Sequence, residues 1–257
     1  MSDAEAYESY VGRWSRRVAH EFLGWLGVPE ESHWLDVGCG TGALAQVILD
    51  VASPKQVTGI DPSEGYLWHA RKDVVDDRAS FEIGDARALR FGADSHDAVV
   101  GGLIFNFVPD VRQGVAEMTR ITRSGGIVGG YVWDYADKMQ LMRHFWDAAA
   151  ALDPEAVDLD EGRRFPLCKP GPLKELFETA GLRDVDVRAI DVPTHFRDFD
   201  DYWSPFLGGQ FPAPGYAMSL DEERRVDLRE RIRSNLPIEA DGSIRLVARA
   251  WAVRGAP

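Results

Sequence analysis

The sequence predicts an α/β fold, an open, doubly wound and mostly parallel sheet with helices on both faces. Two observations predict it. Short buried strands alternate with helices over short turns through residues 33–133, and the first strand ends in a glycine-rich turn that opens a helix. Such alternation indicates βαβ units, and the right-handed crossover rule then favours a doubly wound sheet.

Each element follows from a local pattern. Apolar residues recur at helical spacing over 7–26, and β-branched or apolar runs bounded by Gly, Pro or Asp indicate strands. Ser63 is a suitable N-cap for the helix after the second strand. The predicted strands are 57–61, 80–83, 97–100 and 127–132 after the first near 33–37, with helices from 63 to about 75 and from 109 to about 123.

The pattern loosens after residue 134. It predicts helices over 138–152, 172–180 and 220–235, strands over 182–192 and 244–253, an acidic loop over 153–161 and an aromatic segment over 196–216. Ser219 and Glu222 have the spacing of a capping box for the last helix. We therefore divide the chain into an N-terminal helical cover (1–32), a core (33–134 and 182–257) and insertions that form an acceptor-site lid (135–181 and 193–243).

Composition limits the possible partners. The chain has 257 residues and a net charge of −13, which repels phosphate backbones unless basic residues gather on one face. The best candidate face, 224–233, is interrupted by acids and suits a solvated helix. No apolar run approaches membrane-spanning length, and the N-terminus lacks a secretory pattern, so a cytoplasmic location without nucleic acid is expected. Cys39 and Cys168 are far apart, which predicts neither a disulfide framework nor a metal site.

The turn after the first strand places Gly38, Gly40 and Gly42 at alternate positions. Such a turn lets a backbone approach a ligand closely and aims helix N–H groups at it. Asp61 ends the second strand about 20 residues further on, where an acid accepts hydrogen bonds from ribose hydroxyls. These features favour a nucleoside cofactor over a bare phosphate.

Two cofactor classes remain open on the glycines alone. Gly38-x-Gly40-x-x-Ala43 also satisfies the loose dinucleotide fingerprint, which allows a nicotinamide-dependent oxidoreductase. Asp36 before the turn would repel a pyrophosphate, whereas it suits a cationic ligand. With Asp85 after the third strand, this charge pattern favours S-adenosylmethionine, which carries a sulfonium and an ammonium group.

The ordered motifs resemble those of class I S-adenosylmethionine-dependent methyltransferases, in particular their small-molecule, quinone-biosynthesis-like branch. The matching segments are Leu35–Gly42, Gly59–Ser63, Gly84–Leu89, Asp94–Val100 and Arg123–Gly126. The resemblance implies a Rossmann-like, seven-stranded sheet and methyl transfer from S-adenosylmethionine to a small-molecule acceptor.

The resemblance also implies roles for individual residues. Asp36 would orient the ammonium group of the cofactor, Asp61 would bind the ribose, and Asp85 would accept from the adenine amino group. The other implied cofactor-binding residues are Gly38, Cys39 and Gly40 for the methionyl part, Pro62, Tyr66 and Ala86 for adenine, Gly102 after the fourth strand, and Tyr10, Arg13 and Trp14 in the N-terminal cover.

The acceptor side is less defined. The aromatic residues of 196–211 suit a planar or lipophilic acceptor, or equally a hydrophobic clamp or dimer surface. His144 and His195 are the candidate bases, with Asp134 and Tyr135 behind them. Phe105-Asn106-Phe107 stands where relatives often carry histidines, and Arg90 and His96 are expected at the surface. A non-catalytic cofactor-binding protein and a macromolecule methyltransferase are the further alternatives.

Overall fold

A computed structural model describes residues 12–208 and 211–257 of the chain. Its centre is a seven-stranded sheet in the order β3-β2-β1-β4-β5-β7-β6. The strands are β1 (His33–Val37), β2 (Gln56–Asp61), β3 (Ala79–Ile83), β4 (His96–Gly102), β5 (Thr122–Trp133), β6 (Arg183–Phe196) and β7 (Ile244–Ala256). The predicted fold class is confirmed.

The helices connect these strands in the predicted sequence. They are α1 (Arg13–Leu26), α2 (Ala43–Val51), α3 (Glu64–Asp73), α4 (Val111–Ile121), α5 (Gln140–Leu152), α6 (Glu161–Arg164), α7 (Pro170–Thr179), α8 (Phe199–Trp203), α9 (Pro212–Ser219) and α10 (Glu222–Asn235), with 3-10 turns at Pro154–Leu159, Pro166–Cys168 and Ser204–Leu207.

Strand order fixes where a ligand can bind. β1 pairs in parallel with β2 on one side and with β4 on the other, and β2–β3 and β4–β5 are parallel as well. The chain therefore winds outward in one direction from β1 to β3 and in the other from β4. In such a sheet the ligand crevice lies beyond the carboxyl ends of the strands where the order reverses. Here that point is between β1 and β4.

The described chain groups into two compact units. The sheet unit comprises Ser15–Val132, Lys169–Ile190 and Ala250–Pro257. The aromatic unit comprises residues 12–14, 133–168, 191–208 and 211–249 among those described. The predicted use of the two insertions as an acceptor-site lid stays a prediction.

Several local expectations are wrong. The acidic loop after α5 is a 3-10 turn followed by α6, because Asp153 and Asp160 cap them by accepting from the backbone N–H groups of Glu155 and Gly162. Helix α10 is capped by Asp221, and the Ser219 hydroxyl instead donates to a backbone carbonyl.

His96 was expected at the surface and is buried, 8% exposed, against Phe91. Its imidazole Nδ1 lies 2.9 Å from the Ser95 hydroxyl oxygen. Arg90 is exposed, as expected.

Candidate functional site

The glycine turn joins β1 to α2 at the switch point of the sheet. Gly38, Gly40 and Gly42 have φ angles of 68°, 54° and 85°, which residues other than glycine rarely adopt. A Cβ at Gly38 would overlap Cγ2 of Ile104, whereas no described residue lies within 4 Å of a Cβ placed at Gly40. The turn is therefore packed on one side and open at Gly40, where a ligand can approach the backbone.

Asp61 at the end of β2 braces this turn. Its Oδ2 accepts a hydrogen bond from the backbone N–H of Gly40 at 3.0 Å, and its Oδ1 accepts from that of Ser63 at 2.8 Å. Burial raises the pKa of the carboxyl, while the two hydrogen bonds oppose that rise. A carboxylate accepts about four hydrogen bonds, so each oxygen retains capacity for a ligand hydroxyl.

Asp36 in β1 is a buried carboxyl without a compensating partner. It is 1% exposed, and neither oxygen has a hydrogen-bond partner among the described residues. Burial raises its pKa to about 8; the nearby Ala45 backbone N–H opposes this without reaching hydrogen-bond geometry, and the Asp61 charge adds to it. Buried charges in proteins are normally paired, so this carboxylate fits a ligand that brings a cationic donor.

Cys39 lies within the turn but is not an activated nucleophile. Its side chain is buried, and its backbone N–H donates to the Ile60 carbonyl at 2.9 Å. Burial, together with the charges of Asp36 and Asp61, raises the pKa of the thiol well above its usual range. The thiol stays protonated, in keeping with a small residue that packs beside a ligand.

The remaining cofactor candidates of the sheet unit follow β2, β3 and β4. Pro62 is exposed, and Tyr66 is half-buried on α3, whose N-cap Ser63 accepts from the Tyr66 backbone N–H. Ala86 is half-buried in the turn after β3. A Cβ at Gly102 would lie 2.8 Å from the Tyr131 hydroxyl oxygen, so a larger residue there would displace the tyrosine ring.

Asp85 is paired with Arg87, a contact that the sequence motifs do not indicate. Both of its carboxylate oxygens accept from the Arg87 guanidinium, which lowers the pKa of the Asp85 carboxyl to about 2. The pair is exposed.

The turn after β4 contains a contact without a sequence signal. Leu103 has a left-handed φ of 64°, and its backbone N–H donates to the Tyr131 carbonyl at 2.8 Å. The next residue, Ile104, packs over Gly38 and also lies close to Gly101. Leucine is a poor residue for this conformation, so a pattern of residue types does not predict it.

The predicted N-terminal cover is only partly described. Tyr10 and the Arg13 side chain lie outside the described residues. Trp14 is 3% exposed and packs edge-to-face on Phe196, with ring centroids 5.2 Å apart. Within the aromatic unit, Trp14 therefore contributes to packing, and its predicted role at the cofactor stays a prediction.

The candidate bases lie on different elements of the aromatic unit. His144 is half-buried on α5, and burial lowers its pKa, so that its imidazole is neutral near pH 7. His195 is exposed on β6. Asp134 is buried, accepts from the Asp137 backbone N–H at 3.0 Å and has a pKa raised by burial.

The residues at the switch point fit a nucleoside cofactor that carries a cation. Asp36 has no hydrogen-bond partner in the part of the chain that the structure describes, the backbone at Gly40 is accessible there, and Asp61 keeps acceptor capacity. Within the described residues, no group of three His, Cys, Asp or Glu side chains could hold a metal ion. No helix in the described ranges is both long and apolar enough to cross a membrane.

Residues 35–129 match the family described as "Methyltransferase domain", over the segment that contains the glycine turn, Asp61 and Asp85. Together with the fold and these motifs, the match identifies an S-adenosylmethionine-dependent methyltransferase. It is similar to the demethylmenaquinone methyltransferase of Staphylococcus aureus, with 28% identity over 189 residues that cover 69% of this chain and 77% of the relative.

Solved structures share the fold. A putative methyltransferase from Bacillus halodurans aligns with a TM-score of 0.61 and 15% identity, covering 93% of this chain and 97% of that one. The phosphoethanolamine N-methyltransferase 2 of Haemonchus contortus, solved with phosphomonomethylethanolamine and S-adenosylhomocysteine, aligns with a TM-score of 0.61 and 17% identity. That alignment covers 98% of this chain and 56% of the nematode enzyme.

Proposed function

We propose that this chain transfers the methyl group of S-adenosylmethionine to a planar or lipophilic small molecule. The main observation for the methyl donor is the buried Asp36 carboxyl at the switch point, which has no hydrogen-bond partner within residues 12–208 and 211–257 and therefore suits the ammonium group of this cofactor. The similarity to an enzyme named for demethylmenaquinone supports a quinone-like acceptor.

Cofactor binding is assigned to the carboxyl ends of β1 to β4. Asp36 would bind the ammonium group, and Asp61 would accept from the ribose hydroxyls while it holds Gly40. The Gly38–Gly40 backbone would line the methionyl part. The remaining assignments are Pro62, Tyr66, Asp85 and Ala86 around adenine and Gly102 after β4, with Tyr10, Arg13 and Trp14 as N-terminal candidates.

The chemistry asks little of protein side chains. The bound cofactor supplies a sulfonium, which is already a good leaving group, so the chain mainly has to align the acceptor and exclude water. A base is needed only for an acceptor that is protonated in its resting state. We keep His144 and His195 as candidates, and the neutral imidazole that burial favours at His144 is the form that accepts a proton.

Acceptor recognition is assigned to segments 135–181 and 193–243, most of which lie in the aromatic unit. The rings of the aromatic segment are almost fully buried against one another; Phe206, for example, stacks on Phe145 with centroids 4.5 Å apart. The buried members are Phe196, Phe199, Tyr202, Trp203 and Phe206. These packed rings support an aromatic core. The proposed class of acceptor therefore depends on the similarity to demethylmenaquinone methyltransferase.

The charge distribution supports a small molecule over a nucleic acid. Arginines of α10 are engaged inside the aromatic unit: Arg229 and Arg233 lie over the Phe199 ring, and Arg229 pairs with Asp200 at 2.9 Å. The net charge of −13 also repels phosphate backbones, so we propose an enzyme that acts without nucleic acid. The proposed location is the cytoplasm.

Calorimetry and turnover test the proposal in two steps. We expect S-adenosylhomocysteine to bind the purified chain, NADH not to bind, and labelled S-adenosylmethionine to methylate a reduced quinone in a panel of small acceptors. Binding of NADH alone would overturn the donor assignment in favour of an oxidoreductase. Cofactor binding with no methylated product across the panel and a metabolite extract would favour a non-catalytic binding protein.

A further inference from the structure

An arginine fork holds the carboxylate that follows β3. The Arg87 backbone N–H and Nε both donate to Oδ1 of Asp85, at 2.9 and 3.0 Å, and its terminal nitrogen donates to Oδ2 at 2.7 Å. Two hydrogen bonds thus converge on Oδ1 and one on Oδ2. Because a carboxylate oxygen accepts two hydrogen bonds, Oδ2 keeps one acceptor position, and its direction is set by the fork.

The backbone below this fork is fixed from two sides. The Ala88 N–H donates to the Asp85 carbonyl at 3.0 Å and closes a tight turn over 85–88. The Gln113 side-chain amide on α4 donates to the Arg87 carbonyl at 3.4 Å. At the preceding position, the Gly84 N–H donates to the Asp61 carbonyl at 3.2 Å and joins the turn to the end of β2. The Arg87 guanidinium therefore orients the carboxylate of a residue whose backbone is already held beside Asp61.

We propose that Arg87 is a positioning residue for cofactor recognition: it directs the free acceptor position of Asp85 toward the exocyclic amino group of the nucleoside base. The inference rests on the proposed function, which places adenine beside Asp85. An acceptor aimed in this way discriminates an amino group from a carbonyl, since a 6-oxo base would present a second acceptor to the carboxylate. Without Arg87, the exposed Asp85 side chain would sample other rotamers and lose this discrimination.

The chain contains a matched control. Arg78 holds Asp76 by the same three hydrogen bonds at the same distances, 2.9 and 3.0 Å to Oδ1 and 2.7 Å to Oδ2. Both arginine side chains have similar exposure, 41% and 43%. The control fork precedes β3, whereas the Arg87 fork follows it, at the carboxyl edge of the sheet.

The test compares R87A, R87K and R78A with the wild-type chain in calorimetric titrations. Each of these four chains is titrated with S-adenosylhomocysteine and, separately, with its 6-oxo analogue S-inosylhomocysteine. We expect R87A to weaken S-adenosylhomocysteine binding about fivefold to tenfold and to shrink the preference over the 6-oxo analogue, with kcat unchanged and the cofactor KM raised. R87K should be intermediate, because an ammonium cannot grip both oxygens in a fork. R78A should bind like the wild type.

Three results would overturn the inference. They are unchanged binding by R87A, equal weakening toward both nucleosides, and an equal effect of R78A. If the wild type binds S-adenosylhomocysteine with a clear amino preference that R87A retains, only the role of Arg87 falls. If the wild type binds neither nucleoside, the proposed function falls and takes this inference with it.

Discussion

The Asp61 carboxylate accepts a hydrogen bond from the backbone N–H of Gly40 at 3.0 Å. This bond ties the end of β2 to the turn after β1, so one side chain has two tasks. It holds the open part of the glycine turn, and it presents acceptor capacity where the proposed function places a ribose.

Removing this carboxylate should therefore affect both binding and stability. We expect D61A to weaken S-adenosylhomocysteine binding at least tenfold and to lower Tm, because hydrogen bonds to a charged group contribute about 1.5–3 kcal/mol each. D61N should also lower Tm, since an amide cannot accept from both backbone N–H groups and its own NH₂ would face one of them. Calorimetry and thermal unfolding measure the two effects. A D61A chain with wild-type affinity would contradict the ribose assignment.

The contact between Ile104 and Gly38 can be isolated from backbone strain. Gly27 has a φ of 67°, almost that of Gly38 at 68°, but none of the residues that the structure describes lies within 4 Å of a Cβ built there. G27A should cost about 1 kcal/mol of unfolding free energy, the strain of a left-handed alanine. G38A should cost about 1–3 kcal/mol more, because its methyl overlaps the isoleucine. Urea unfolding measures both, and equal losses would show that Ile104 yields without cost.

Cofactor affinity should depend on pH through Asp36. Its pKa of about 8 in the ligand-free chain means that the carboxyl is mostly protonated at pH 6–7, whereas an ammonium ligand favours the carboxylate. Binding should then release a proton, and affinity should rise with pH by up to about tenfold per unit below pH 8 and level off above it. Titrations in two buffers with different ionisation enthalpies report the proton directly. D36N should bind the cofactor weakly and lose this pH dependence. A wild-type affinity that does not change from pH 6 to 9 would refute the prediction that Asp36 ionises on binding.

Glu161 predicts a pH dependence of stability in the aromatic unit. The side chain is 3% exposed and accepts from the Trp146 indole N–H, and burial raises its pKa to about 7 from 4.5. Because the folded-state pKa is raised, ionisation favours the unfolded chain as pH rises from about 4.5 to 7, and the penalty is constant above 7. E161Q, which keeps an acceptor for the indole, should gain Tm relative to the wild type over that interval.

The matched control is the exposed Glu155, whose E155Q variant should follow the wild-type curve. Thermal unfolding at half-unit steps from pH 4.5 to 8 gives the comparison. Parallel curves for E161Q and the wild type would show that Glu161 ionises in the folded chain as readily as in the unfolded one.

Sequence patterns determined the sheet, its strand and helix types, and the glycine turn, because each depends on local periodicity, turn residues and capping side chains. They also indicate Asp36 and Asp61 as candidate site residues, since the carboxyl ends of parallel strands meet at one edge whatever the packing elsewhere. The cap of α10 was misassigned to Ser219 because Asp221, two residues later, is an equally good cap by type.

Only the tertiary structure decided how these groups meet. The left-handed Leu103 brings Ile104 onto Gly38, a contact over 66 positions of chain that no local pattern encodes. The environment of the Asp36 carboxyl is also a tertiary property. That neither oxygen has a hydrogen-bond partner among the described residues depends on all the neighbours that exclude water from it. Local preferences act over a few residues, so the sequence predicts the elements and proposes a candidate site. Burial and contact are properties of the whole packed chain, and they set the charge and the shape of that candidate site.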